Sequence, residues 1–243
     1  MQQSRGAKDF SEQERLFVSL ADGMNNTLLQ LAMLSEQAST LPTSAVAASW
    51  QTVNDISRTS LQLLEGYTLT MRLQGGTAEP ELEPVAVTSL LYDILHQLEP
   101  YAKQLQVKLE LELPPRLEPI ISDRAILRSA LLNLGQVFIT AQSQTDGGQT
   151  ELLRLSAHRS RYGVVAGWYS EGLQLSASAL SRARKLGGWA QQPYGELVSG
   201  PASGLFIAEN LLAAVSGKLH VARYHNATGL AATLPACRQL QLV

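Results

Sequence analysis

A single cysteine, Cys237, stands in 243 residues. One thiol excludes both a disulfide framework and a cysteine zinc site, and it makes a reducing cytoplasm the natural setting. Charge is scarce as well. Asp, Glu, Lys and Arg make up 16% of the chain and the formal net charge is −2, which leaves no basic field to hold nucleic acid or anionic lipid. No apolar run approaches the about eighteen residues that a membrane span requires. The opening residues, MQQSRGAKDFSEQERLF, lack the apolar stretch of a secretory signal. His158, His220 and His225 show no metal-ligand spacing, so no metal is expected.

Apolar residues make up 45% of the chain, enough for one large core or two small ones. From about Glu12 to Ala38, Phe17, Leu20, Met24, Leu28, Leu31, Leu34 and Ala38 recur at alternating steps of three and four, the narrow seam of a coiled-coil-like helix. STLPTS at 39–44 breaks it, because Pro42 bars the residue before it from helical torsions. A second helix follows from about Ala45 to Leu73, with Trp50, Val53, Ile56, Leu63, Leu64, Tyr67 and Met71 as its stripe. Such an antiparallel hairpin has too little apolar area to stand alone, and pairing with a second copy into a four-helix bundle is the economical solution. Residues 74–84, with Gly75, Gly76, Pro80 and Pro84, read as a linker. The predicted division is a hairpin over 1–76 and a second domain over 77–243.

The second domain alternates helix and strand. Thr88–Leu105 is amphipathic. VKLELEL at 107–113 alternates, with Val107, Leu109, Leu111 and Leu113 on the core side. EPIIS gives a short strand. SDRAILRSALLNLGQVFITA follows, in which Ser122 or Asp123 can cap a helix whose apolar face is Ile126, Leu127, Ala130, Leu131, Leu134, Phe138 and Ala141. TDGGQ at 145–149 reads as a hairpin-type turn into TELLRLSAH, and YGVVAGWY at 162–169 is that strand's partner. Ala202–Val215 is the last helix, and GKLHVAR with GLAATLP closes the domain as a hairpin. The fold class is therefore α+β, a helical hairpin followed by an α/β sandwich.

These segments, LYDILHQLEPYAKQLQVKLELELPP, SDRAILRSALLNLGQVFITA and SGPASGLFIAENLLAAVSGKLHV, come in an order that resembles bacterial sensor histidine kinases, and the resemblance covers nearly the whole chain. It implies a dimerisation and phosphoacceptor hairpin joined to a Bergerat-type ATPase domain, the fold also used by gyrase-type ATPases. It also assigns positions to chemistry, and there this chain departs from the family. FVSLADGMNNTLL keeps Phe17, Thr27 and Leu29 but carries Gly23 at the phosphoacceptor histidine, and glycine offers no nucleophile. The asparagine that holds magnesium becomes Val137, which supplies no oxygen ligand.

In SEGLQL, Ser170 replaces the adenine-reading aspartate and Gly172 remains. Gln174 puts a side chain where glycine lets backbone approach nucleotide. The glycine turn before the last helix keeps Gly200 and Gly204, but Pro201 has no N–H to offer phosphate. Asn133, one turn before Val137, reads as structural. His96, beside Asp93 and Glu99, reads as a solvated histidine. Arg182–Lys185 falls where the family has its nucleotide lid and reads as a solvated helix face. Trp189 and Tyr194, on a Gly/Pro/Gln-rich loop, are candidates to anchor a partner or to fill the old cleft.

The expectation is a catalytically inactive histidine-kinase-like homodimer, a pseudo-kinase acting by binding in two-component-type signalling. By resemblance, the hairpin surface around Asn26, Gln30 and Met33 would meet a response regulator receiver domain or another kinase. No cofactor is expected, with residual ATP binding left open. The alternative is a divergent kinase or phosphotransfer protein that binds nucleotide through Gly172, Gly200 and Gly204, and a third reading is a dimeric adaptor in a larger assembly.

Overall fold

The computed structural model describes residues 28–29, 31–33, 35–36, 43–143, 152–172, 175, 178, 180–181 and 202–235. Residues 28–29, 31–33 and 35–36 are helical, as the seam predicts. Helix α1 is Thr43–Gln74, two residues longer at its start than the stripe suggests. Its many hydroxyl residues are accommodated by bonding back one turn: Ser57, Thr59, Ser60, Thr68 and Thr70 each donate to the carbonyl four residues earlier. The stripe splits between two sides. Leu63 is buried, whereas Trp50 is 63% and Leu64 36% exposed.

The linker reading of 74–84 needs one correction. Glu83–Val85 form a short strand, β1, which pairs antiparallel with β3, Ile120–Ser122. Pro84 is tolerated because this ladder has only two strands and a missing N–H costs little at an edge. Helix α2, Val87–Gln104, buries Leu90, Leu91, Ile94 and Leu98. It leads through Gln106, at φ 59°, into β2, Lys108–Glu112.

Helix α3, Arg124–Ser143, is the centre of the fold. Asp123 starts it: Oδ1 accepts from Ile126 N at 3.0 Å, while Oδ2 accepts from Glu81 N at 2.9 Å. All the residues of the predicted apolar face are buried, but so are Asn133, Gln136, Val137 and Ile139. Residues 130–139 of the helix are covered all round, because α1 and helix α4, Ala202–Ala214, lie against its outer side.

Strands β4, Leu152–Ser160, and β5, Gly163–Ser170, form the expected antiparallel pair. They turn at Arg161 and Tyr162, while TDGGQ lies outside the described residues. β6, Lys218–Tyr224, and β7, Ala227–Leu234, close the domain. The five-stranded order is β2-β4-β5-β7-β6, with β2 parallel to β4 and the other pairs antiparallel. Helices α2, α3 and α4 pack on one face, where Leu153, Leu155, Val164, Trp168, Leu230 and Leu234 meet them in a single core.

The other face is strongly coiled. Gly167 and Gly229 face each other's strands so closely that an added Cβ would sit 2.3 Å from Leu230 O and 1.9 Å from Trp168 O. Small residues at such points let a sheet bend. The β6–β7 tip then reaches back across the sheet, and Tyr224 packs on Tyr169 of β5 with ring centroids 5.5 Å apart. Among the described residues no helix is long and apolar enough to cross a membrane.

Candidate functional site

Of the positions that the resemblance assigns to chemistry, Val137 and Gly204 meet on the outer side of α3. Val137 is 2% exposed. Its neighbour is Gly204 in the first turn of α4, where an added Cβ would lie 2.7 Å from Val137 Cγ2 and 3.2 Å from Asn133 O. The two helices therefore touch at this point with only a glycine's thickness between them. Gly204 is used for close packing of helix on helix.

Asn133, one turn earlier, is buried and faces away toward α1. Its Nδ2 donates to Ser129 O at 2.8 Å, and an added Cβ at Gly66 of α1 would lie 2.6 Å from that nitrogen and 3.0 Å from Ile207 Cγ2. Its Oδ1 is buried without a hydrogen-bond partner. Gln136 Nε2 of α3 donates to Gln62 Oε1 of α1, and Gln74 Nε2 of α1 donates to Asn210 Oδ1 of α4 at 2.9 Å. Helix α1 thus lies in the groove between α3 and α4, seated by Gly66. The sequence reading passed over Gly66, although an isolated glycine inside a helical stripe signals close packing.

Ser170 ends β5 and is buried. Its Oγ accepts from Gly172 N at 3.2 Å, a local turn of the kind serine favours. The strand end is held by Trp168, two residues earlier, whose Nε1 donates to Leu131 O of α3 at 2.9 Å. Gly135 makes room for that indole: an added Cβ would lie 2.6 Å from Trp168 Cζ2 and 2.5 Å from Leu98 Cδ1. Beside Ser170, Glu171 pairs with Arg154 at 3.0 Å, and Arg154 also pairs with Glu110 at 3.1 Å. The hydrogen bond to Glu110 leads the causes that raise the Arg154 pKa, so the guanidinium stays charged.

The structure thus brings Val137 to Gly204, and Ser170 to Gly172. None of the four carries an ionisable group, and only Ser170 offers a side-chain oxygen. Met33 is helical and 60% exposed. Gly23, Asn26, Gln30, Gln174, Trp189, Tyr194, Gly200 and Arg182–Lys185 lie outside the described residues. His96 is on the surface with Nδ1 3.0 Å from Glu99 Oε2, while Asp93 pairs with Arg124 at 2.8 Å. Among the described residues no group of His, Cys, Asp and Glu is arranged to hold a metal ion.

No sequence profile of a known protein family matches the chain, and no curated protein matches it by sequence. Solved structures do match by shape. A histidine kinase of Acinetobacter baumannii, AdeS, superposes with a TM-score of 0.56 at 12% identity, over 88% of this chain and 96% of that one. The histidine kinase ThkA, in complex with the response regulator protein TrrA, superposes with a TM-score of 0.56 at 14% identity, over 98% of this chain and 68% of that one. Full-length ShkA in complex with AMPPNP gives 0.55 at 20% identity, over 92% of this chain and 46% of that one. The chain therefore has a histidine-kinase-like fold, with a sheet and helices arranged as in the catalytic domains of those kinases.

Proposed function

We propose that the chain is a pseudo-kinase, a histidine-kinase-like scaffold that works by binding and transfers no phosphate. The reading rests chiefly on Val137. Where the resemblance calls for an amide oxygen on magnesium, an isopropyl group is buried against Gly204, and magnesium accepts hard oxygen ligands only. The nearest amide, Asn133, is turned toward α1. The Ser170 hydroxyl is engaged by its own turn and lacks the charge that makes a carboxylate's hydrogen bond about twice as strong. Gly23 at the acceptor position completes the argument, since a phosphoryl group needs a nucleophile to receive it. The residues present do not fit a magnesium nucleotide.

The same reading takes residues 1–76 as the dimerisation hairpin, residues 77–243 as the ATPase-fold domain, and a cytoplasmic homodimer as the working unit. Leu28 and Leu29, with Trp50, Leu61 and Leu64 on α1, leave large apolar side chains exposed on the hairpin. A second hairpin would cover them in a four-helix bundle. The partner is a response regulator receiver domain or another kinase, meeting the surface of Asn26, Gln30 and Met33. The ThkA complex with the response regulator protein TrrA supports a response regulator as the partner.

ATP titration with and without magnesium separates this reading from a divergent kinase. Magnesium should add nothing to any nucleotide binding, and magnesium-dependent, saturable binding would overturn the proposal. For the partner, candidate receiver domains should bind the wild-type chain and lose affinity on Met33→Asp. Equal binding by both proteins counts against this surface.

A further inference from the structure

The second face of the sheet lies away from the contact of Val137 with Gly204, and it holds a cluster of titratable groups. Strand register places Glu112 on β2, Ser156 and His158 on β4, Tyr169 on β5, and His220 and Tyr224 on β6 along this face. In a flat sheet β6 would lie four strand spacings, about 19 Å, from β2. Instead Tyr224 OH donates to Glu112 Oε1 at 3.3 Å, and His225 Nε2 lies 3.3 Å from the same oxygen. On the way the Tyr224 ring stacks on His158, with centroids 5.3 Å apart and planes 17° apart.

We infer that the β6–β7 tip, Tyr224 and His225, is a strap that closes the second sheet face at neutral pH and is released when His158 takes up a proton.

The closed state is poised rather than locked. It buries Ser156 Oγ, Tyr169 OH and His158 Nδ1 without a hydrogen-bond partner for any of them, and each such atom works against closure. Its anchor is the edge contact to Glu112, which Arg154 also approaches at 4.0 Å. The groups sharing this face with His158 are His220, Tyr224 and Lys218 from β6, Tyr169 from β5, Arg154 from its own strand and Lys108, Glu110 and Glu112 from β2. The one carboxylate that the strap reaches is already held by Tyr224, His225 and Arg154, so a proton on His158 gains no free acceptor.

Burial, and then the neighbouring His220, hold the His158 pKa below the ordinary histidine value. The closed state therefore binds fewer protons than the open one. Closure is complete above the unperturbed value of about 6.5 and weakens as pH falls below it. His225 of the tip also contacts Glu112, at 3.3 Å. That pair is largely exposed, at 63% and 37%, and contributes little.

Hydrogen exchange of the whole chain between pH 7.5 and 5.5, corrected for intrinsic rates, reads the strap directly. Amides of residues 222–228 should exchange faster at the lower pH, by up to about tenfold per pH unit for each proton coupled. Those of the Arg161–Tyr162 turn should keep their rate. His158→Phe keeps the stack on Tyr224 and removes the proton site, so its profile should be nearly flat. If that variant does not fold, His220→Gln serves instead and should show a smaller rise than wild type. A wild-type tip with no pH dependence, or a rise undiminished in the variant that folds, overturns the inference.

Discussion

Two pairs of neighbours meet on opposite sides of the same helix. Gly135 and Trp168 meet on the inner side of α3, and Val137 and Gly204 meet on its outer side. The inner pair is a matter of volume: a missing side chain on the helix receives an indole from the sheet, and the indole nitrogen then satisfies a helix carbonyl. The outer pair lies where the resemblance assigns metal and phosphate, and its contact too is one of volume. A fold needs shape at both places, whereas phosphoryl transfer needs lone pairs and charge at the second. This chain meets the first requirement on both sides of α3, and under the proposed function it no longer meets the second.

The sharpest way to break the comparison is at the indole. Trp168→Ala removes a fully buried side chain and should cost about 3–5 kcal/mol in denaturant unfolding. A loss below about 1 kcal/mol would mean that the inner pair does not hold the frame. Next is Gly204→Ala, whose new methyl meets Val137 Cγ2 at 2.7 Å; overpacking of this kind costs about 1–3 kcal/mol. Adding Val137→Ala should recover part of that loss. Strict additivity of the two changes would show that the residues are not in contact. Smallest is Ser170→Ala, which removes one local acceptor and should cost about 0.5–1.5 kcal/mol, with no change in receiver binding. A large loss of binding on Ser170→Ala would place the partner at the old nucleotide edge rather than on the hairpin.

Most of the frame was legible in the sequence because its signals are local. The stripe from Ile126 to Ala141, the alternation of Lys108–Glu112 and the pairing of β4 with β5 each follow from neighbours close in the chain. The positions Val137, Ser170, Gly172 and Gly204 were found by matching motifs, and the structure adds that they meet in pairs. What the sequence hid are contacts between distant segments. Pairing of β1 with β3 joins residues almost forty positions apart through strands of three residues each, too short for a periodic signal. Seating of Gly66 on Asn133 depends on where α1 lies, which its own stripe does not settle. The histidines of the second face read as scattered, since only the coil permitted by Gly167 and Gly229 brings β6 back over β4.

The central claim concerns phosphorus, and one measurement addresses it without intermediaries: incubation of the purified whole chain with magnesium and ATP labelled at the γ-phosphate. The account predicts no label in the protein and no nucleotide consumed beyond the rate of a protein-free control. Stoichiometric labelling by an acid-labile phosphate on nitrogen, or steady turnover of ATP, would contradict it.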